Sequence, residues 1–399
     1  MTPVGVPGTI TLILTPCSKL IGMNVTTILF GALLLGSLVY CLLTVIAARR
    51  YLAVRPAALL FVPPVSVLRP LHGFEDGLEE NLRSCFAQDY PEFELIVAVH
   101  HADDSAVPVF EKVRAEFPAG PPARMVITGE PPGPNAKAFS LQRLTDEARH
   151  ELLVMSDSDV RAKPGMLRVL AAEFQDSSVG LITCPYRAVA GRSLWSRLEA
   201  AGMNTEFLGG VLVARLLEGM KFALGPTIAA RREVIQRAGG FRQLGEFLAE
   251  DFVLGQRAAE SGYRVLLSSW VIEHHIGSQA IGSNLRHRLR WARSTRRSRP
   301  AGYWGQIFTN PLPLALLLCL IQPQAWPFLL VTAAFRAAAA WATAIRVLGS
   351  SLTADDWLLL PVQDLLSFCI WIAGFFGNSV QWRGRRCSLL PDGRFKLVS

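Results

Sequence analysis

Two aspartates one residue apart follow an apolar run, Leu152 to Met155, that reads as a short buried strand. If the strand continues through Asp157-Ser158-Asp159, alternate side chains point the same way and both carboxylates face one side. Paired carboxylates at a strand end can hold a hard divalent cation. Mg²⁺ or Mn²⁺ in such a site keeps some waters, binds substrate phosphates as well, and can neutralise a phosphate leaving group as it departs. An isolated Asp-x-Asp reads more simply as a solvated turn after a strand, so the rest of the chain must decide.

A second concentration of charge lies far downstream, where Arg286 to Arg299 carries seven arginines. Such a run suits nucleic acid, a phosphate-bearing ligand or an anionic membrane face. No zinc-finger spacing or other nucleic-acid signature accompanies it, which argues against nucleic acid as a partner. For Arg293 to Arg299 the simplest reading is a juxtamembrane cluster touching lipid headgroups. The histidines at 72, 274 and 275 show no metal-ligand spacing and receive no role.

The elements that must position these residues include membrane spans. Of the 399 residues 51% are hydrophobic and 18% charged, with a net charge of +8. Residues 26–48 carry no charge and are long enough to cross a hydrocarbon core. Their length and the lack of a clear cleavage site make them a retained anchor. Arg49, Arg50 and Arg55 follow, placing residue 49 onward in the cytoplasm by the positive-inside rule. The expected organisation is an extracytoplasmic segment (1–25), the anchor (26–48), a catalytic domain (49–300), a membrane region (301–381) and a basic cytoplasmic tail (382–399). The membrane region holds three apolar blocks, Pro311–Ile321, Trp326–Ile345 and Trp357–Phe376, with Arg336 interrupting the second. A cytoplasmic tail demands an even number of crossings, so one block is expected to be re-entrant or interfacial. The seven cysteines are scattered and form no disulfide framework, which fits a catalytic part in a reducing compartment.

Between the anchor and the arginines, strand-like and helical stretches alternate. Strands are expected at 64–68, 93–99, 123–127, 152–155 and 179–183, and helices at 78–86, 107–117 and 138–148. Residues 194–222 form a helical stretch that either faces the core or lies in the membrane interface. The alternation implies an α/β fold of parallel βαβ units that bind ligands at the carboxyl ends of the strands. Three polar clusters fall at such ends: residues 69–76 with Arg69 and Glu75, residues 100–104 with Asp103 and Asp104, and the 157–159 triplet.

In this order and spacing, a set of short motifs resembles the ceramide glucosyltransferase family, and more closely a bacterial branch associated with hopanoid glycosylation. The motifs are Val67-Leu-Arg-Pro-Leu-His-Gly73, Asp89-Tyr-Pro91, Asn135-Ala-Lys137, Asp157-Ser158, Ala249-Glu-Asp-Phe252, Gly262-Tyr-Arg264, Arg290-Trp291 and Trp382-Arg-Gly-Arg385. The resemblance implies a GT-A, Rossmann-like domain between N- and C-terminal transmembrane helices, binding a UDP-sugar and transferring the sugar with inversion. Asp157 matches the family's second aspartate, expected on a metal or the sugar diphosphate, with Asp159 as its partner on the metal. Asp251 matches the third, the expected general base, although an ordinary surface or capping carboxylate would also suit its place. At the first aspartate position stands His101, which moves the expected nucleotide contact to Asp103 or Asp104. The Gln/Arg of the closing signature is His287, in His287-Arg-Leu-Arg-Trp291, where a histidine can still donate to phosphate. Arg290 is expected on the diphosphate, Trp291 near the acceptor, and Lys137 beside the nucleotide's charge. Arg69 and Glu75 complete the expected donor site.

The resulting expectation is an integral membrane protein of the bacterial inner membrane, with its catalytic domain in the cytoplasm. It would use Mg²⁺ or Mn²⁺ to move a hexose from a UDP-sugar to a lipid hydroxyl. The acceptor would be ceramide with UDP-glucose, or a hopanoid with UDP-N-acetylglucosamine. Stretches Cys184-Pro-Tyr-Arg187 and Gly202-Met-Asn-Thr-Glu206 read like the hopanoid-linked branch. A processive polysaccharide synthase shares the signature but needs more spans. A non-enzymatic scaffold gives no reason for Asp157 together with Asp251.

Overall fold

A computed structural model describes residues 25–54, 58–382 and 385–398. The expected extracytoplasmic segment, Arg55 and residues 383–384 of the last motif lie outside them. Strands β1 (Val65–Pro70), β2 (Phe93–Val99), β3 (Ala123–Ile127) and β4 (Leu152–Ser156) are each read within two residues at either end. They continue with β5 (Val160–Arg161), β6 (Val179–Thr183), β7 (Tyr186–Val189), β8 (Thr227–Arg231), β9 (Arg264–Leu267) and β10 (Ile272–His275).

Seven of them form one sheet in the order β3-β2-β1-β4-β8-β6-β9. It is parallel except for β8, which runs antiparallel to both β4 and β6. This corrects the expectation of uniformly parallel units: Thr-Ile-Ala-Ala-Arg is inserted at the sheet's centre. Both faces of the sheet are covered. Val67, Val97 and Val154 belong to one apolar cluster, while their neighbours Leu68, Ile96 and Leu153 belong to another. A strand buried on both faces loses polar alternation and reads as a continuous apolar run.

A second, three-stranded sheet, β5-β10-β7, sits beside the ends of β4 and β6. It exists because the chain turns at Asp157 and re-pairs two residues later, His274 opposite Val160.

The stretch expected as one helix over 194–222 comprises helices at Leu194–Gly202 and Leu208–Glu218 joined by a wider turn. Leu208, Val211 and Leu212 join the same core as Ala47, Ala48 and Tyr51 of the Val25–Leu52 helix, so this segment is core-facing. Its exposed Leu217 is an exception. Among the described residues, three helices are long and apolar enough to cross a membrane: Val25–Leu52, Pro323–Val347 and Ala354–Gly374. A further pair, Pro300–Phe308 and Pro311–Ile321, is bent by 56° at its break. Arg336, the charge within the second block, meets Asp364 of the last helix side-on, with Nε–Oδ2 and Nη2–Oδ1 contacts both at 2.8 Å.

The expected basic tail is folded. Strands β11 (Ser379–Trp382), β12 (Arg385–Leu389) and β13 (Phe395–Leu397) form an antiparallel meander. It docks on the catalytic domain through Leu248 and through Phe395, whose backbone N–H donates to the carbonyl of Glu246 at 3.0 Å. The arginines before it are also placed otherwise than expected. Arg293, Arg296 and Arg297 donate to the carbonyls of Phe375, Phe376 and Gly377 and to the Asn378 side chain. They cap the carboxyl end of the last long helix, where unpaired carbonyls and the helix dipole favour cations.

Candidate active site

Three motifs far apart in sequence converge beyond the end of β4. Asn135 caps the helix Ala136–Glu147, accepting from the backbone N–H of Ala138 at 2.9 Å. Its amide donates to the carbonyl of Phe247 at 2.9 Å and to Glu250 Oε2 at 3.2 Å. The cap therefore ties the first turn of one helix to the first turn of another, Glu250–Glu260. Lys137, two residues on, is thereby aimed between the elements. Its Nζ lies 2.6 Å from Asp157 Oδ1, 3.7 Å from Glu250 Oε1 and 3.3 Å from the carbonyl of Gly225.

Asp251 faces the same small cavity, which is lined by Lys137, Asp157, Gly225, Glu250 and Asp251. Its helix begins after Ala249, so Asp251 is not a capping residue. A Cβ at position 225 would lie 2.7 Å from Asp251 Oδ2. Glycine at that position leaves the carboxylate its room.

The electrostatics are unbalanced. Burial alone would lower the Lys137 ammonium, but Asp157, Glu250 and Asp251 outweigh it and hold it above the ordinary lysine range. Burial pushes Asp157 up, against the pull of Lys137. Asp251 is pushed up to about 7, first by burial and then by the neighbouring Glu250 carboxylate. A carboxylate titrating near neutrality is suited to accept a proton.

Asp159 turns to the second sheet. Its Oδ2 lies 2.9 Å from His274 Nε2, and the backbone N–H of His275 donates to its carbonyl at 2.8 Å. Burial opposes charge on both partners, yet their attraction holds Asp159 below the usual carboxylate range and His274 above the usual imidazole. From His274 a line of rings leads outward: Tyr186 at 5.4 Å, then Phe207 at 5.5 Å, then Trp291 at 6.2 Å. His274, unassigned from the sequence, is thus a site residue, as are Glu250, Gly225 and Tyr186. The signal for His274 lay in a pairing across 115 residues, which no local spacing carries.

Other expected donor-site residues are placed differently. Arg69 is fully buried. Its guanidinium donates to the carbonyls of Ser158 at 2.9 Å, Val160 at 2.6 Å and Asn81 at 3.2 Å. It clamps the turn that carries Asp157 and Asp159 and has no surface for a ligand. Glu75 accepts from Ser158 Oγ at 2.6 Å, fixing the same turn. Asp104 accepts from the backbone N–H groups of Gly73 and Ala106, both at 2.9 Å; Asp103 beside it is exposed. His101 pairs with Glu130 at 2.9 Å. His287 contacts buried Glu199 through Nδ1 at 2.8 Å, and its ring lies 4.8 Å from Trp291. That nitrogen is committed to a protein carboxylate rather than turned to phosphate. Arg290 lines a separate, larger cavity on the other side of its helix.

The fit of a divalent metal can be tested on the donor set. Among the described residues no three His, Cys, Asp or Glu side chains group to hold one. The candidate oxygens are those of Asp157, whose Oδ1 is also paired with Lys137, and the Oδ1 of Asp159, which is buried without a hydrogen-bond partner. Two hard oxygen donors fit Mg²⁺ or Mn²⁺ that takes the rest of its shell from water and a substrate diphosphate.

A largely parallel sheet with acidic residues beyond its central strand end, beside a smaller sheet, is the GT-A glycosyltransferase fold. Matching architecture is found in a mannosyltransferase from Pyrobaculum calidifontis, solved with GDP-Man and Mn²⁺. The two superpose with a TM-score of 0.53 at 20% identity, covering 88% of this chain and 99% of that one. The profile of glycosyl transferase family 21 matches residues 29–395, and the chain belongs to that family. Relatives include ceramide glucosyltransferase 3 of Caenorhabditis elegans, 25% identical over 233 residues, 58% of this chain and 50% of that protein. Ceramide glucosyltransferase 1 of the same organism is 27% identical over 210 residues, 52% of this chain and 44% of its own length. The matches thus span about half the length of these relatives.

Proposed function

We propose that the protein is a membrane-embedded, inverting glycosyltransferase that moves a hexose from a UDP-sugar to a lipid hydroxyl. The observation that carries this reading is Asp251, a carboxylate titrating near 7, beside the Lys137–Asp157 pair in one cavity. The donor's diphosphate lies toward Lys137 and Asp157. Asp251 takes the acceptor hydroxyl's proton as its oxygen bonds to the anomeric carbon and the bond to the diphosphate breaks, which inverts that carbon. Lys137 offsets charge on the departing UDP. A divalent cation held by Asp157 and Asp159 would supply further charge neutralisation there. The Arg69 and Glu75 contacts keep both aspartates in place, and Trp291 walls the acceptor side.

The meander supports a membrane arrangement for this reading. Its contacts with Glu246 and Leu248 favour the catalytic domain and residues 385–397 lying on one side. In this reading an even number of crossings separates them: Pro311–Ile321 and Pro323–Val347 pass beside Val25–Leu52, Leu314 and Ala325 packing with Leu34 and Val347 with Ala47, while Ala354–Gly374 lies along the catalytic domain, Asp356 pairing with Arg197 at its start and the Phe375 carbonyl accepting from Arg296 at its end. The positive-inside rule makes the shared side cytoplasmic, with the inner membrane of a bacterium as the setting.

Ceramide with UDP-glucose is the acceptor–donor pair that family membership favours. A hopanoid such as bacteriohopanetetrol, with UDP-N-acetylglucosamine, is supported by a specific contact. Asn204, in the second stretch that resembles the hopanoid branch, exchanges two hydrogen bonds with Ala188, the residue after the first stretch, at 2.8 and 3.0 Å. A transfer assay on membranes carrying the protein tests both, offering each donor with each acceptor and Asp251→Asn as control. Glucosylceramide lost in the variant establishes the first pair, and amino-sugar transfer to the hopanoid the second. Activity retained in the variant, or no product with either lipid, overturns the reading.

A further inference from the structure

The helix Ala354–Gly374 keeps its polar residues on the inside and its apolar ones on the outside. Between Trp357 and Phe376 its single charged residue, Asp364, turns inward to Arg336, and its neighbour Gln363 turns inward to Arg288. The outward face carries Leu358, Val362, Leu365, Cys369, Ile372 and, just beyond the helix, Phe376, all exposed. Intervals of three or four residues make them one stripe along the helix. A stripe of this length without a charge marks a contact surface rather than a face left to water.

The contacts of the inner face fix how the helix lies. Near its start Asp356 Oδ1 accepts from Arg197 at 2.9 Å, and further along Gln363 Oε1 accepts from Arg288 at 2.6 Å. Toward its end Trp371 Nε1 donates to the carbonyl of Tyr303 at 2.8 Å, and the carbonyl of Phe375 accepts from Arg296. These contacts are spread over about 28 Å of helix. Arg197, Arg288 and Arg296 belong to the helices Leu194–Gly202 and Ile281–Ser298 of the catalytic domain. A helix that crossed the bilayer would carry one end about 30 Å from a domain held at the other, whereas this one keeps both ends and its middle on charged helices. Its apolar side is continuous with the segments read as membrane spans, because Phe368 packs with the cluster of Leu34, Leu314 and Leu318. That continuity makes lipid, rather than a second copy of the chain, the occupant of the stripe. We infer that Ala354–Gly374 lies flat in the cytoplasmic leaflet, with its stripe among the upper acyl chains and its polar side holding the catalytic domain. An interfacial helix buries its apolar face by about 5–10 Å. Through Gln363 and Arg288 it holds the helix that carries Trp291 at a fixed height over the lipid. The inference rests on the membrane placement proposed above, and on neither donor nor acceptor.

The test uses the full chain in phosphatidylcholine–phosphatidylglycerol vesicles, with a fluorescent amino acid replacing Leu358, Leu365 or Ile372 in turn. The quenchers are aqueous iodide and lipids that bear a nitroxide on the headgroup, near the glycerol or near the methyl end of the acyl chain. All three positions should be quenched most by the nitroxide near the glycerol, severalfold more than by iodide, at depths that agree within about 5 Å. A crossing helix would separate Leu358 from Ile372 by about 21 Å in depth, and that result overturns the inference. Quenching by iodide alone would mean a face left in water, and quenching by neither a face covered by protein; each overturns it as well. A second measurement leaves the stripe untouched. Ser351→Cys and Gln381→Cys, at exposed positions before and after the helix, should react with a membrane-impermeant maleimide from the same side of sealed vesicles, over the level of the unsubstituted chain. Labelling from opposite sides would show a crossing and overturn the inference. Flotation of the vesicles reads attachment through Val25–Leu52 separately. No turnover is measured, so failure of the proposed transfer reaction is a distinct result.

Discussion

Two of the clusters of buried or half-buried charge among the described residues, one in the cleft and one among the apolar helices, are built to opposite rules. Arg336 and Asp364 match one to one. Both are almost fully buried, the fork meets the carboxylate on two sides, and Thr205 Oγ1 accepts the remaining Nη2 contact at 2.9 Å. In the cleft a single ammonium, Lys137, faces Asp157, Glu250 and Asp251, and Asp159 Oδ1 is left without a partner. A balanced pair locks helices together and has nothing left to offer a ligand. A surplus of carboxylates costs stability in the free protein and is relieved only when cations or a proton-bearing substrate arrive.

The largest effect expected from this contrast is on chemistry alone. Asp251→Asn removes the proton acceptor and should lower transfer by about 10³-fold. Because it also removes one excess negative charge, its thermal unfolding midpoint in detergent should not fall. A lowered midpoint would mean that the cleft is a structural cluster after all. Arg336→Met should do the reverse, destabilising the fold by about 3–5 kcal/mol by leaving Asp364 buried and unpaired. Arg336→Met/Asp364→Leu should recover most of that loss. A double variant as unstable as the single would deny the pair its locking role.

His274→Gln should weaken Mn²⁺ binding, followed by electron paramagnetic resonance in the presence of UDP, by about 10-fold or more, as losses behind a metal ligand do. Unaltered binding would confine His274 to holding the second sheet. The last effect concerns pH. Only the ionised form of Asp251 accepts a proton, and its carboxyl is pushed up to about 7. Below that pH, kcat/KM for the acceptor should fall about tenfold per unit and above it level off, following the ionised fraction. A rate that stays flat down to pH 5 would assign the proton to another group.

The legibility of these regions in the sequence differed for a physical reason. Strands β1, β2, β4 and β6 were readable because burial on both faces leaves largely apolar runs, and the half-buried edge strand β3 through its Met125-Val-Ile127. Strand β8 was not, since Thr-Ile-Ala-Ala-Arg is short, largely small-sided and bounded by Pro226 and Arg232. Asp157, Lys137 and Asp251 were found through motifs, and the structure brings all three to one cavity. Arg69 and Glu75, expected on the donor, hold the turn that carries Asp157 and Asp159, because a motif does not reveal whether a side chain points at a ligand or at the backbone of the loop behind it. His274 and Glu199 owe their places to contacts across 115 and 88 residues, formed by a second sheet and by packing of the arginine-rich helix. The capping role of Arg293, Arg296 and Arg297 was hidden likewise, because the carbonyls they serve belong to another helix.

The meander's grip on Glu246 and Leu248 has a consequence for how the protein is made. Residues 379–397 are translated after both helices of the C-terminal membrane region, yet they brace the segment leading directly into Glu250 and Asp251. In the membrane arrangement proposed above, the catalytic loop would stay unsupported during synthesis until those helices had entered the bilayer and returned the chain to the side it left. Correct insertion is thereby read out at the active site, and a chain threaded with the wrong number of passes is left without its brace.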